Sequence, residues 1–279
     1  MTYDPTVYWS SLVTGDGDLA HVGIPGLGRY NRYAYRFRLR ALRRALQDVD
    51  LRGRRVFEAA FGEGFYLGYW RSAGAAKVSG VDLSPGAVAE GRRRFPSYDL
   101  RQADLTRPAD LAGFGPHDIV TALDVLYHIV DDVAFAAALR HLGALVAPGG
   151  RLLLSEKFPA AAPFQRFPHV RRRPLGSYRE VLEPLGLRLA RLVPVFCLMD
   201  EPIVVGAHPL LGAACLLQWR AGTKALRLAA SRPRLQAVLS AALAGAQALP
   251  ERALVRLLSR VPNTEIAVWE HRPPRDGTD

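Results

Sequence analysis

The chain has 279 residues, with 34 Arg and 3 Lys against 26 acids, a net charge of +11 and about half of its residues apolar. Such a chain can bury a substantial core as one large domain or two small ones, which excludes wholesale disorder, collagen-like repeats and low-complexity readings. Its two cysteines, Cys197 and Cys215, lack a C-x-x-C spacing, so a disulfide framework and structural zinc are not expected and a reducing, cytoplasmic compartment is.

The N-terminus carries no basic region followed by an apolar core and a cleavage site, so no secretory signal is expected there. Residues 31–50 place apolar and aromatic side chains at helical spacing among arginines, the pattern of an amphipathic helix with a solvated arginine face. The period then changes. Short runs rich in β-formers at 55–60, 77–83, 98–105, 118–124 and 151–156 alternate with helical patterns, which implies βαβ units and a parallel sheet covered on both faces. Ser84 and Pro85 supply the cap and first position of the second of these helices, placing Asp82 at the carboxyl end of its strand. Residues 159–175 read as a Pro- and Arg-containing loop, 177–186 as a helix, and 187–196 and 265–272 as two further strands. Between those strands lie about 65 residues of helical patterning broken at Pro233 and Pro250, read as an inserted helical cap. Its longest apolar stretches, 209–219 and 239–249, fall short of the roughly 18 residues that cross a bilayer.

Charge is unevenly placed: residues 1–160 carry 20 bases and 17 acids, the remainder 17 bases and 9 acids. A basic surface attracts nucleic acid, anionic lipid or acidic substrates. A GC-rich coding sequence also favours Arg over Lys, and without a nucleic-acid-binding motif the charge is read as codon bias.

The chemistry concentrates at the strand ends. Glu58 ends the first strand, and Gly62 and Gly64 lie in the following turn, where a helix amino terminus and close backbone approach suit a ligand. Asp82 follows Gly64 by 18 residues and can accept two hydrogen bonds from a ribose diol. Asp104 and Asp124 end the next two strands. Four acids at four strand ends suit a neutral or cationic nucleoside better than a pyrophosphate.

Together EAAFGEG (58–64), GVDLS (80–84), QADL (102–105), DIVTALDVLYHI (118–129) and LVAPGGRLLLSE (145–156) resemble, in order and spacing, the class I S-adenosylmethionine-dependent methyltransferases. The resemblance covers residues 30–160. It implies a Rossmann-like α/β fold: a seven-stranded, mostly parallel sheet with helices on both faces and a helical cap inserted before the last strand. It divides the chain into an N-terminal helical segment (1–50), a cofactor-binding core (51–158), a substrate-binding and cap region (159–262) and a last strand with tail (263–279). It also implies S-adenosyl-L-methionine as cofactor, with Glu58 and the turn containing Ala60, Gly62 and Gly64 against the methionine portion. Asp82, next to Leu83, would take the ribose hydroxyls, Asp104 and Leu105 would flank the adenine, and Asp124 would lie near the reacting end. The turn departs from the family's pattern in having Ala60 at its first glycine position and the bulkier Phe61 and charged Glu63 beyond it.

His128 and Tyr127 are the catalytic candidates, since they sit just past the fourth strand and imidazole suits proton removal near neutrality. Tyr8, Trp9, Tyr30, Tyr33 and Tyr35 are either core anchors or a cover over the pocket. DVLY stands where methyltransferases of exocyclic nucleobase amines carry Asn/Asp-Pro-Pro-Tyr, which argues against nucleic acid. The expectation is methyl transfer to oxygen or nitrogen of a small, partly hydrophobic molecule in secondary metabolism. The alternatives are an RNA or protein methyltransferase, or a non-catalytic or non-methylating member of the fold. The apolar cap helices leave a homodimer open.

Overall fold

The computed structural model describes residues 5–10, 24, 27 and 29–271. After a short helix α1 (Pro5–Ser10), α2 (Tyr30–Ala45) leads into the alternating region: β1 (Arg55–Ala59), α3 (Phe65–Ser72), β2 (Lys77–Asp82), α4 (Pro85–Arg94), β3 (Asp99–Gln102), β4 (His117–Leu123), α5 (Asp132–Ala144) and β5 (Val146–Glu156). The chain continues through β6 (Phe164–Phe167), β7 (Val170–Arg172), α6 (Leu175–Leu182) and β8 (Leu187–Pro194), then α7 (Pro209–Leu228), α8 (Pro233–Leu257) and β9 (Glu265–His271). Seven strands form one sheet in the order β3-β2-β1-β4-β5-β9-β8. The first five run parallel, and β9 lies antiparallel between β5 and β8.

Alternation along the strands sorts side chains into two cores. Val56, Ile119 and Leu153 face one side, with α2, α3 and α4, while Phe57, Val120 and Leu154 face the other, with α5 and α6. A side-chain period of two on a doubly covered sheet produces this division. Trp219 and Leu226 of α7 and Ala244 of α8 join the same buried cluster as Tyr30 and Phe37 of α2, so the inserted helices pack onto the core through α2.

Three expectations are corrected. The stretch 159–175, expected as a loop, contains the antiparallel hairpin β6–β7, whose register slips between Gln165 and Phe167. Strand β5 begins at Val146 rather than 151, because a bulge opposite His117 and Ile119 accommodates the Pro-Gly-Gly segment. Pro250, expected to break the cap, sits inside α8. A proline there removes one helical hydrogen bond. The next residue supplies the compensation: fully buried Glu251 accepts the backbone N–H groups of Cys197, Leu198 and Met199 at 2.5, 2.7 and 2.9 Å, pinning this part of α8 to the segment after β8.

Candidate active site

The turn after β1 is left-handed at alternate residues, with φ of 53° at Ala60, 52° at Gly62 and 72° at Gly64. Ala60 holds this conformation, which costs an L-residue about 1–2 kcal/mol, while its N–H donates to the Val81 carbonyl at 2.7 Å. Phe61 turns away from the strand ends. A Cβ added at Gly80 or Gly91 would lie 3.2 and 3.0 Å from its ring, so these two glycines make room for Phe61 beneath β2 and α4. The unusual bulk in the motif is thus absorbed by the core.

Asp82 ties this turn to the second strand. One carboxylate oxygen accepts the Gly62 N–H at 2.8 Å and the other accepts the Ser84 N–H at 2.8 Å. Ser84 in turn caps α4 by accepting the Ala87 N–H at 3.3 Å, as its position in the sequence predicts. Burial raises the Asp82 pKa, and the backbone N–H groups oppose that rise. Beside it, fully buried Glu58 accepts the Trp70 indole N–H at 2.5 Å. Burial pushes its carboxyl up to about 8, with the nearby Asp82 charge adding to the effect.

A raised carboxyl pKa makes the folded chain hold a proton that the unfolded chain releases above pH 4.5. This group's contribution to stability is therefore complete at low pH and is lost as pH rises through about 8. Glu58→Gln, which keeps an acceptor for Trp70, is expected to gain thermal midpoint over wild type by several degrees between pH 5 and pH 9, measured by differential scanning fluorimetry. A difference that does not change with pH contradicts the assignment.

Beyond β4 the site is ionic. Asp124 has φ of 61°, its N–H donates to the Ser155 hydroxyl at 2.7 Å, and its carboxylate pairs with Arg38 from α2. The Arg38 guanidinium also reaches Asp200 at 3.5 Å and lies 5.0 Å from the Phe196 ring centre. Asp200 continues to Lys157, 3.2 Å away, and the Lys157 ammonium donates to the Glu201 carbonyl at 2.6 Å. The chain Asp124, Arg38, Asp200 and Lys157 is almost wholly buried, and burial lowers Lys157 to about 8 against the pull of Asp200. Glu156 ends β5 beside it, pushed up to about 8 by burial and drawn down by Arg172.

The other sequence candidates occupy distinct places. The Asp104 carboxylate folds into its own loop, accepting the Thr106 N–H at 2.9 Å and hydroxyl at 2.7 Å, while Leu105 is buried and its carbonyl accepts from His141 Nδ1 at 2.9 Å. Leu83 is half-buried between Asp82 and Ser84, and the Leu83 carbonyl accepts from Gln102 at 3.2 Å. Tyr127 and His128 form the 3-10 turn Leu126–His128 directly after Asp124 and Val125. The Arg172 guanidinium sits 4.8 Å from the Tyr127 ring centre. His128 Nδ1 lies 2.8 Å from the His169 carbonyl and must donate to it, which leaves Nε2 as the acceptor in the neutral ring. Burial lowers the His128 pKa to about 3.

Of the N-terminal aromatics, Trp9 meets His128 edge-on at 4.9 Å from Tyr8 and 4.5 Å from the imidazole, and Tyr8 stacks on His169 at 4.9 Å. Tyr30 is instead a core anchor bonded to Gln247 at 2.5 Å. Arg38, Lys157 and Asp200 are not singled out by the sequence, whereas Arg172 belongs to the Arg171–Arg173 triplet, which the sequence offers as a solvated loop or, less favoured, as a contact for an anionic substrate. Arg38 was legible in principle: with Ala34, Phe37 and Ala41 it falls on the buried stripe of α2, so its arginines are not all solvated. Arg172 also lines a cavity of about 210 Å³ walled by Phe164 and Phe167 of the hairpin, by Ile203 and Val204, and by Leu216 of α7. Among the described residues no cluster of three or more His, Cys, Asp or Glu is arranged to hold a metal ion.

This geometry is that of a Rossmann-like α/β protein, in which an acid at the end of β2 clasps a left-handed turn after β1. Residues 57–152 match the family described as a methyltransferase domain. A ubiquinone biosynthesis O-methyltransferase of Neisseria meningitidis is 31% identical over 111 residues, covering 38% of this chain and 45% of the relative. A probable S-adenosylmethionine-dependent methyltransferase of Mycolicibacterium smegmatis is 28% identical over 180 residues, covering 62% and 66%. The chain thus spans about half the length of the curated relatives it matches. Among solved structures, the magnesium protoporphyrin IX methyltransferase of Synechocystis, with bound S-adenosylhomocysteine, superposes with a TM-score of 0.53 at 21% identity over 68% of this chain and 92% of that one. The matched domain, these relatives and the shared fold support a class I S-adenosylmethionine-dependent methyltransferase, a family whose cofactor is S-adenosylmethionine.

The residues present fit that cofactor. The two Asp82 oxygens accept the backbone N–H groups of Gly62 and Ser84, and a carboxylate's further lone pairs leave it acceptor capacity for a vicinal diol. The left-handed turn lets the backbone approach a ligand closely beside the Asp82 carboxylate, as a nucleoside site requires.

Proposed function

We propose that the chain transfers a methyl group from S-adenosylmethionine to oxygen or nitrogen of a small, partly hydrophobic acceptor, in cytoplasmic secondary metabolism. The observation that carries this reading is the Asp82 carboxylate bonded directly to the turn at Gly62, within the segment that matches the methyltransferase domain. Glu58, Ala60, Gly62, Gly64, Asp82 and Leu83 would hold the methionine and ribose portions, and Asp104 with Leu105 the adenine. When bound, the cofactor supplies an electrophilic methyl group, so the chain's tasks are alignment of the nucleophile and exclusion of water.

The acceptor enters the cavity walled by Phe164, Phe167, Ile203 and Leu216, whose Arg172 adjoins Tyr127 at the reacting end. Phenyl and aliphatic walls favour an apolar body, and Arg172 an electron-rich or anionic substituent. His128, with Tyr127 beside it, orients the acceptor through Nε2, the acceptor nitrogen of its neutral ring. Because burial keeps this imidazole neutral down to about pH 3, it contributes no acid limb near pH 6.5. His128→Asn is expected to lower kcat/KM by about 10- to 100-fold with a pH profile parallel to wild type between pH 5.5 and 8. An acid limb near pH 6.5 that disappears in the variant contradicts this role. The activity itself is tested by incubating the chain with methyl-labelled S-adenosylmethionine and a panel of apolar phenols, amines and carboxylates. Label in an acceptor product supports the proposal, while cofactor binding without label in any product overturns it.

A further inference from the structure

Helices α7 and α8 turn Cys215, Trp219 and Leu226, and Ala244 and Val255, toward the core. Their opposite faces are also apolar. Leu210, Leu217 and Leu228 of α7 are 88, 73 and 76% exposed, and Val238, Leu249 and Leu257 of α8 are 65, 74 and 81% exposed. At 100° per residue the three α7 leucines fall within about 20° of one line, and the α8 set spans about 100°. Single exposed leucines are ordinary, but aligned stripes on two packed helices mark an interaction surface.

The electrostatics of this surface are one-sided. Residues 207–262 carry eight Lys and Arg and a single acid, Glu251, which is fully buried. Lys224, Arg227, Arg234, Arg252 and Arg256 are exposed beside the apolar stripes. Cations crowd here: the pKa of Arg40 on α2 is lowered by burial and by Arg252, and that of Arg44 by burial and by Arg256.

We propose that the outer face of the α7–α8 pair docks the chain onto an anionic lipid bilayer, with its leucines in the headgroup–acyl boundary and its flanking cations on lipid phosphates. Neither helix is long and apolar enough to span a membrane, so the chain lies on the surface. A second copy related by a two-fold axis would set the same unbalanced cations against each other, which costs several kcal/mol. A bilayer satisfies both features at once. The placement also serves the acceptor cavity, because Leu216 and Arg220 of α7 line its wall next to exposed Leu217. The proposal does not depend on methyl transfer.

The test is flotation of the full chain with vesicles of phosphatidylcholine alone and with about 30% phosphatidylglycerol added. Two variants accompany the wild type: Leu217→Ser/Leu228→Ser/Leu249→Ser, and Arg227→Gln/Arg234→Gln/Arg252→Gln/Arg256→Gln. Circular dichroism checks the fold of each. Wild type is expected to bind the anionic vesicles at least ~100-fold more tightly than the neutral ones, the arginine variant to lose ~100-fold or more, and the leucine variant ~10-fold or more. Wild-type failure to bind anionic vesicles overturns the proposal, as does binding unaffected by the leucine substitutions. A wild-type dimer in sedimentation velocity that the leucine variant dissolves also overturns it, assigning the face to a second copy.

Discussion

Asp82→Ala is expected to weaken binding of S-adenosylhomocysteine by roughly 100-fold or more, since it removes a charged acceptor able to take both hydroxyls of a ribose, each such bond being worth about 1.5–3 kcal/mol. The loss has a second source. The same carboxylate holds the Gly62 and Ser84 N–H groups, so alanine leaves both donors without their partner and loosens the turn. Asp82→Asn retains one acceptor and is expected to fall between alanine and wild type. Competition binding by fluorescence measures all three, and equal affinities would remove Asp82 from the site.

The other large effect is on stability. Arg38→Met removes the cation shared by Asp124 and Asp200 and leaves buried charge uncompensated, which is expected to cost about 3–5 kcal/mol in urea unfolding. The partner substitution Asp124→Asn relieves part of this, so the double variant is expected to be less destabilised than the sum of the single ones. Lys157 remains beside Asp200 at 3.2 Å and limits the damage on that side. A cost below ~1 kcal/mol, the range of an exposed pair, would show that the buried ionic chain does not form.

The legible parts of the molecule were those in which local spacing and chain direction act together. The β1 turn, the Ser84 cap and the position of Asp82 follow from strand–turn–helix chemistry within a few residues, and the structure joins them directly. The strands of the parallel sheet and the two strands around the inserted helices were legible from the change of hydrophobic period, whereas the antiparallel direction of the two strands was not. The buried ionic chain beyond β4 was not, because its groups converge from distant segments. Arg38, Asp124, Lys157 and Asp200 lie on four different segments, and no local pattern announces that they meet. The hairpin β6–β7 escaped for a related reason: Pro168 and the register slip interrupt the alternation that marks a strand. Pro250 misled because its helix is held by tertiary bonds to Glu251, which outweigh the local cost of proline.

The left-handed turn containing Ala60 also bears on cofactor affinity. Its φ of 53° matches the sense of those at Gly62 and Gly64, and Phe61 is housed among core residues, so the departures from the family's small residues leave the turn's geometry in place. The most direct measurement is calorimetric titration of the folded chain with S-adenosylmethionine. Saturable binding of one cofactor per chain is the expected result. A folded chain that shows no binding at millimolar cofactor would contradict the assignment of the β1 turn and Asp82 as a cofactor site.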